Sequence, residues 1–578
     1  MGGSKGNKAS NTHPSRVKKR KFHGNRHSIE QDTQFTSASA KKIGRFDVKV
    51  PVASNFGYCI IEFVSVFSAL SASVICKDCK SEVAFSKSSL RGLGFNILLE
   101  CKCDKQTKIK SCSLVGSACE INRRIVFAMR MLGVGHQGLN LFCGLMDICQ
   151  GIGNSTYASI LENIHIAAST VYDSIISFAA TEEKDLNERA GNIRNNLTVS
   201  GDGTWKKRGF SSLFGVSTLI GKFTGKTLDS KVKSSFCATC NLWKGKKDSD
   251  PVAYETWFKN HQEECTANHT GSSGKMEIDA IVEMFQRSED KHDAKYVTYV
   301  GDGDSKTFKG ILNAEPYEDL LVIKKECVGH VEKRMGTRLR NAKKNNKGMG
   351  GKGAGKLTDK LINELTKFYG LAIRRHPDSV EEMRKEIWAT FFHKSSSDEN
   401  PQHQNCPEGA ESWCKWQQAA ANGELNQFRH DKPPLTPAVQ AAIRSIYEEL
   451  SKDELLHRCL GSETQNNNES LNSLIWTFAS KHLHSGPKIV EIATFLATAI
   501  FNEGFEAVIK IMNVMGCPIG NEAHNYTQRR NEERVARSER RMSDVVRQTR
   551  MDARSDHAAL NDFYEEQEGV LYGPGIAD

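Results

Sequence analysis

Two apolar segments of the chain each run directly into an aspartate that stands between glycines. The first segment passes through Val199 and reaches Asp202, and the second passes through Val300 and reaches Asp302. Short runs rich in β-branched and aromatic residues are typical of strands. Strands that deliver an aspartate at their carboxyl ends build a carboxylate pair at one edge of an α/β sheet. Their flanking glycines would let a phosphate or a metal ion approach the backbone closely.

A third acidic residue, Glu469, follows the run Gln465 to Asn468. Leu471, Leu474 and Ile475 have the spacing of one apolar helix face, so the pattern predicts a helix with Glu469 in its first turn. Three carboxylates suit Mg²⁺, which takes oxygen ligands. Gly-Asp-Gly is also common in turns, so each aspartate taken singly is also explained as an ordinary turn residue.

The order Asp, Asp, Glu on strand, strand and helix resembles that of the RNase H-fold transposases of the Mutator-like superfamily, especially the animal Mutator-like transposase domain. The resemblance spans about residues 56 to 515, and its motifs are Ser200 through Trp205, Val300 through Asp304, Gln465 through Asn472, and Cys327-x-x-His330.

The resemblance implies that Asp202, Asp302 and Glu469 are the catalytic DDE carboxylates and bind Mg²⁺ or Mn²⁺, with Asp304 as a substitute for Asp302. It also implies that His330 is a catalytic residue that orients the scissile phosphate. A buried structural pair with Cys327 is the alternative for that histidine. Two ligands alone would not form a zinc site there.

The same resemblance implies a DNA transposase, an enzyme that cleaves and joins DNA strands at element termini. Its partners would be the element's terminal repeats and target DNA, bound by a homo-oligomer in the nucleus. The alternatives are a domesticated nuclear DNA-binding protein without catalysis, a nuclease that cuts without joining, and a zinc-finger protein whose acidic motifs are ordinary turns.

The 17 cysteines include pairs with metal-ligand spacing, which predict zinc sites rather than disulfides in a nucleocytoplasmic protein. One predicted zinc set consists of Cys76, Cys79, Cys101 and Cys103, and a second of Cys237, Cys240, His261 and Cys265. Cys112 and His269 are substitute ligands for the first and second sets. An irregularly spaced third set, left open, consists of His393, His403, Cys406 and Cys414. Free thiols in a small core are the alternative for the first set.

The predicted fold class is α+β, with an RNase H-like mixed sheet, a helical insertion and small zinc-binding modules. The expected units are a disordered basic tail (1–50), a zinc-ribbon-like module (56–120), a helical region with possible DNA binding (121–190), the first part of the core (191–340) with a zinc insertion (237–270), the helical insertion (341–460), the catalytic helix (461–515) and a charged C-terminal tail (516–578).

Charge and hydropathy bear on the partners. The chain carries 79 Lys and Arg against 69 Asp and Glu, a net charge of +10 that suits a polyanion such as DNA. Lys18 to Lys21 form a basic cluster, read either as a nuclear localisation signal or DNA-touching arm or as a solvated tail. The apolar stretch 58–76 contains Glu62 and several serines, so no membrane span is expected.

A Gly-, Lys- and Asn-rich stretch, 341–356, predicts a loop. It and the residues just before it are expected to contact DNA phosphates, with a solvated linker as the alternative. The basic residues concerned are Arg338, Arg340, Lys343, Lys344, Lys347, Lys352 and Lys356.

Overall fold

The computed structural model describes residues 36–103, 106–206, 212–303, 305–346, 348–351, 353–483 and 485–542. Strands β1 to β10 span Ala84–Arg91, Gly94–Glu100, Gln106–Lys110, Leu114–Val115, Ala118–Cys119, Asn196–Trp205, Phe214–Gly221, Thr227–Ser234, Lys295–Gly301 and Ile323–Glu326.

Helices precede, separate and follow these strands. Helices α1 to α21 span Ala38–Lys42, Phe63–Ser73, Glu120–Met131, His136–Leu145, Asn154–Arg189, Ala238–Trp243, Lys246–Ser249, Pro251–His261, Ser273–Gln286, Ser288–His292, Ser305–Ala314, Val328–Asn345, Asp359–Arg375, Val380–Ser395, Lys415–Ala421, Pro437–Leu450, Asp453–Cys459, Asn466–Phe478, Pro487–Glu503, Glu506–Val514 and Asn521–Met542.

The central sheet has the strand order β10-β9-β6-β7-β8. Strands β6, β7 and β8 pair antiparallel, whereas β9 pairs parallel with both β6 and β10. The sheet is therefore mixed, with β6 at its centre, and the predicted α+β fold class is confirmed. The register places Ser200 opposite Val300, two residues before each aspartate. Asp302 directly follows β9, as expected, but Asp202 lies inside β6, which continues to Trp205 through its pairing with β7.

Helices cover both faces of this sheet, because the central strands carry apolar residues on both faces. Val216 and Ile220 face a core that includes α5, α18 and α19. Val199 and Leu219 face a second core in which Ile281 of α9 is buried. Two faces buried in this way hold the central strands in place, of which β6 carries Asp202 and β9 leads directly into Asp302.

A separate apolar core belongs to α12, α13, α14, α16 and α17. It begins at Val328, Val331 and Met335 of α12, all fully buried, so the helical core starts before residue 341. Helix α12 also continues to Asn345, so the first residues of the expected loop 341–356 are helical. Amphipathic spacing explains this, because Val328, Val331 and Met335 repeat at intervals of three and four residues.

Near the N-terminal end of the described chain, β1, β2 and β3 form a three-stranded antiparallel sheet, and β4 pairs with β5. Helix α2 packs against β1. The apolar stretch 58–76 thus supplies a helix of only 11 residues. Among the described helices, none combines the length and apolarity that crossing a bilayer requires.

The expected strands before Asp202 and Asp302 and the expected helix with Glu469 in its first turn are present as β6, β9 and α18. Several expectations lie outside the described residues: the basic cluster Lys18 to Lys21 with the rest of 1–35, Asp304, and the tail beyond residue 542. Before that point, the charged C-terminal segment contains helix α21.

Candidate active site

Strand β6 and helix α18 are joined by a row of side-chain hydrogen bonds. Alternate strand residues share one face, and two strand residues advance about 6.7 Å. Four helix residues advance about 6 Å, so every second strand residue can meet every fourth residue of a helix that runs in the same direction. The bonds are Ser200 Oγ to Asn468 Oδ1 (2.6 Å), Asn472 Nδ2 to Asp202 Oδ2 (2.7 Å) and Trp476 Nε1 to Thr204 Oγ1 (2.8 Å).

Asp202 lies in the middle of this row, and the groups that shift its pKa show which charged side chains lie near it. Burial is the main cause that raises the pKa of Asp202 to about 7, and the charge of Asp302 raises it further. His330 lowers the pKa of Asp202, whereas Glu469 raises it. The other three predicted catalytic residues therefore all lie close enough to Asp202 to shift its pKa.

Glu469 lies in the first turn of α18, as the sequence predicted. Its side chain is 55% exposed and forms an ion pair with Lys333 of α12 at 3.5 Å. Glu469 is exposed, whereas Asn468 and Asn472 lie on the buried face of the helix. The carboxylates thus come from β6, from the residue after β9 and from α18.

His330 stands at the start of α12, next to the end of β9. The backbone N–H of Cys327 donates to the Gly301 carbonyl oxygen at 3.0 Å, which ties this helix start to the strand that precedes Asp302. The neighbouring Cys327 thiol raises the pKa of His330, and burial opposes this rise. Cys327 itself is buried. His330 therefore lies between a buried cysteine and the carboxylates, and both roles considered for it from the sequence stay open.

The glycines around the aspartates make room for protein side chains. A Cβ atom on Gly201 would lie 2.5 Å from Tyr299 Cε2, and one on Gly203 would lie 2.6 Å from Glu277 Oε2. Likewise, a Cβ on Gly303 would overlap the Arg334 guanidinium. Close packing within the protein explains these glycines, a reason that the sequence interpretation, based on phosphate or metal approach, did not include.

Sequence reasoning missed the amides that fix the site. Gln465 Nε2 donates to the Gly201 carbonyl oxygen at 2.5 Å, and Asn468 Nδ2 lies 3.2 Å from the Ser200 carbonyl oxygen. Both side chains are almost fully buried. The available signal was the spacing of Asn468 and Asn472, four residues apart on the side of the helix that carries Leu471 and Ile475.

Three groups of cysteine and histidine side chains converge in the described part of the chain, and in each group the potential ligand atoms all lie within 4.8 Å of one another. The groups are Cys76, Cys79, Cys101 and Cys103; Cys237, Cys240, His261 and Cys265; and His393, His403, Cys406 and Cys414. Each has four members, which is the number that a structural zinc site uses.

The first group forms where a tight turn meets the end of β2. Lys80, with φ of 54°, closes the turn by donating its N–H to the Cys76 carbonyl oxygen at 3.0 Å. Hydrogen bonds from Ser81 lower the pKa of the Cys79 thiol to about 6, which favours the thiolate that a metal ion requires. Cys112 is not a member, because its sulfur lies beside that of Cys119 next to Gly94.

The second group lies between β8 and α9. Cys237 Sγ is 3.3 Å from His261 Nε2, and Cys240 Sγ is 3.5 Å from Cys265 Sγ. Burial opposes ionisation of the Cys237 thiol. Hydrogen bonds, among them one from the backbone N–H of Cys240, nevertheless lower the pKa of Cys237 to about 5. His269, the expected substitute, is engaged elsewhere with Asp279 and with the Ser272 carbonyl oxygen.

The basic residues expected to contact phosphate are partly occupied. Arg338 bonds to Glu449, and Lys343 lies 2.8 Å from both carboxylate oxygens of Asp359. Lys347 and Lys352 lie outside the described residues. Phosphate contact by Arg338 or Lys343 would therefore compete with an existing ion pair.

A family model described as Mutator-like transposase matches residues 57–414, more than half of the chain. The matched range contains Asp202, Asp302 and His330, and it ends before Glu469. No curated protein matches the chain significantly.

Proposed function

The chain belongs to the Mutator-like transposase family, and we propose that it is a DNA transposase that cleaves and joins strands at element termini through Asp202, Asp302 and Glu469. The observation that carries this proposal is that Asp302 and Glu469 both add negative charge at Asp202, a half-buried carboxylate held in place by Asn472. Several carboxylates with mutually reinforcing negative charge suit a cation.

The donor set fits divalent magnesium or manganese. Carboxylate oxygens from two strands and a helix leave room for waters and a substrate phosphate, which magnesium retains in such sites. A pair of these ions, when bound, would activate the attacking oxygen and stabilise the leaving oxygen of the phosphodiester. We assign Asp202, Asp302 and Glu469 as their ligands.

The protein's own residues would position the reaction. Asn472 donates to Oδ2 of Asp202 and so fixes the rotation of that carboxylate. Gln465 binds the Gly201 carbonyl oxygen and holds the strand backbone beside it. His330, with a raised pKa, would hold a proton near the site and donate to a phosphate oxygen, which orients the scissile bond.

Further features support the rest of the proposal. The mixed sheet with β6 at its centre and helices on both faces supports an RNase H-like core. We propose zinc at the first two Cys/His groups, Cys76 to Cys103 and Cys237 to Cys265.

The net charge of +10 supports binding to terminal repeats and target DNA. A nuclear location and assembly as a homo-oligomer on DNA are proposed from the family resemblance.

The test is cleavage of DNA that carries the element's terminal repeats, in Mg²⁺ or Mn²⁺. Wild type is compared with Asp202→Asn, Asp302→Asn and Glu469→Gln, which keep the side-chain shapes. Asp319→Asn is the matched control, because Asp319 is an exposed carboxylate just before β10 that is ion-paired to Lys295. We expect the three site variants to bind DNA without cutting it, while the control cuts normally.

Binding without any cleavage by wild type would instead favour a domesticated DNA-binding protein. Normal cleavage by a single site variant would exclude that residue from the site. Cleavage without joining of the released ends to target DNA would favour a nuclease.

A further inference from the structure

The segment 396–414 contains no helix or strand, yet part of it is deeply buried. His403, Cys406 and Cys414 are exposed by 3% or less, and His393 approaches them from the last turn of α14. A segment without secondary structure gains little from backbone pairing, so its buried side chains need another interaction to hold them in place.

The distances within this group fit one metal ion. His393 Nδ1 lies 3.6 Å from Cys414 Sγ and 3.8 Å from Cys406 Sγ, and His403 Nδ1 lies 3.4 Å and 3.8 Å from the same two sulfurs. Ideal zinc bond lengths at a tetrahedral angle would separate such nitrogen and sulfur atoms by about 3.6 Å.

A chain of hydrogen bonds fixes the tautomer of His403. His430 Nδ1 lies 2.6 Å from Asp398 Oδ1, so this nitrogen carries a proton and donates it to the carboxylate. In a neutral His430, Nε2 is then an acceptor, and it lies 3.0 Å from His403 Nε2. A proton on His403 Nε2 therefore meets this acceptor, and Ser396 Oγ at 2.9 Å is a second one, which leaves the Nδ1 lone pair directed at the two sulfurs.

We propose that His393, His403, Cys406 and Cys414 bind a structural zinc ion, and that His430 and Asp398 hold His403 in the tautomer that binds it. Proteins orient metal-binding histidines by placing a hydrogen-bond acceptor at the other ring nitrogen, and His430, held by Asp398, lies at that position here. Four protein ligands in a buried position leave no open coordination site, so the ion has a structural role.

The zinc would connect α14 to the start of α15. Trp413 packs against His393 with ring centroids 4.9 Å apart, and Trp416 stacks on His403 at 5.1 Å. Loss of the ion would therefore release both tryptophans and the segment between the two helices. This inference does not depend on the proposed catalytic function, because none of these residues belongs to the carboxylate site.

The experiment counts zinc per full-length chain by elemental mass spectrometry, comparing wild type with Cys414→Ser. We expect the variant to contain one zinc fewer. Cys459→Ser is the matched control, because Cys459 is also fully buried in the helical core but belongs to none of the three convergent groups. Zinc bound elsewhere cancels in the difference. An unchanged zinc content in folded Cys414→Ser protein would overturn the proposal.

A second variant guards against misfolding of the first. Asp398→Ala removes a carboxylate that is 46% exposed, so folding should tolerate it. We expect a chelator to remove one zinc at about 10- to 100-fold lower concentration than in wild type. Glu399→Ala, at the exposed neighbouring position, should behave as wild type. Equal chelator resistance of Asp398→Ala and wild type, or a Cys406–Cys414 disulfide in the purified protein, would refute the site.

Discussion

Asn472 donates a hydrogen bond of 2.7 Å from its Nδ2 to Oδ2 of Asp202, and so connects the helix that carries Glu469 to the strand that carries the first aspartate. The carboxylate of Asp202 also accepts a hydrogen bond from the backbone N–H of Gly203. Asn472 is 9% exposed, so water cannot readily replace it as a donor. The two elements that supply metal ligands are thereby aligned by a residue that need not bind metal itself.

Replacing Asn472 by alanine should therefore weaken metal-dependent cleavage. Loss of a partner that orients a ligand typically costs about 10- to 100-fold in metal affinity or activity. The readout is the Mg²⁺ concentration that gives half-maximal cleavage, which should rise in Asn472→Ala. Ser473→Ala changes an exposed neighbour on the same helix and should leave that concentration unchanged. Equal Mg²⁺ requirements for both variants would show that Asn472 does not position the site.

Part of this site could be predicted from the sequence. Apolar runs before Asp202 and Asp302 predicted two neighbouring strands, and β6 and β9 do pair in parallel, although Asp202 lies inside β6 and not at its end. Their role as metal ligands stays a prediction. The contacts of Asn472 could not be predicted, because they depend on the register between a strand and a helix about 270 positions apart in sequence.

Two other features could not be predicted from local sequence patterns: the reason for the glycines beside Asp202, and the third Cys/His group. The glycines beside Asp202 are explained by Tyr299 and Glu277, which reach them only through the packing of the sheet and α9. The third Cys/His group was left open because its spacing is irregular, and the loop that gathers its ligands has no periodic signal. His430 lies still further along the chain, so its part in that cluster was invisible in the sequence.

Gly201→Ala should destabilise the protein. The added Cβ would lie 2.5 Å from the ring of Tyr299, and an overpacked core typically costs about 1–3 kcal/mol. The measurement is the urea concentration at the unfolding midpoint, which should fall. Gly57→Ala is the control, because a Cβ there meets nothing within 4 Å. A double variant with Tyr299→Leu should regain part of the loss, and no recovery would argue against this contact as the cause.

Metal removal from the Cys237 group should change tryptophan fluorescence. Trp257 stacks on His261 with ring centroids 4.7 Å apart and on Trp243 at 4.6 Å. Cys240→Ser should lose one zinc and show altered emission from these rings. Cys79→Ser is the comparison, because the sequence around the Cys76 group contains no tryptophan. It should lose one zinc with unchanged emission, and identical spectra for wild type and Cys240→Ser would contradict the assignment.

Acid should destabilise the fold through His292. Burial lowers the pKa of this side chain to about 4, and its Nε2 lies 2.9 Å from the Leu228 carbonyl oxygen. Between about pH 6.5 and pH 4 the unfolded chain binds a proton that the folded chain does not, so stability falls as pH falls. Complete loss would amount to about 3 kcal/mol.

The check is a comparison of urea midpoints at pH 7 and pH 4.5. His292→Gln cannot take up this proton, so its midpoint should fall less than that of wild type over the same interval. His482→Gln, which replaces an exposed histidine, serves as the control. Parallel pH dependence of wild type and His292→Gln would rule out this histidine as a source of acid sensitivity.

The most direct test of the central claim is a change of metal preference at the carboxylates. Asp202→Cys and Asp302→Cys replace a hard oxygen ligand by a softer sulfur, which disfavours Mg²⁺ more than Mn²⁺. Terminal-repeat DNA is incubated with wild type and each variant in either metal. We predict cleavage by wild type in both metals, and cleavage by the cysteine variants in Mn²⁺ only. Cleavage by the variants in Mg²⁺ at the wild-type rate would contradict the account, because the carboxylates would then not be metal ligands.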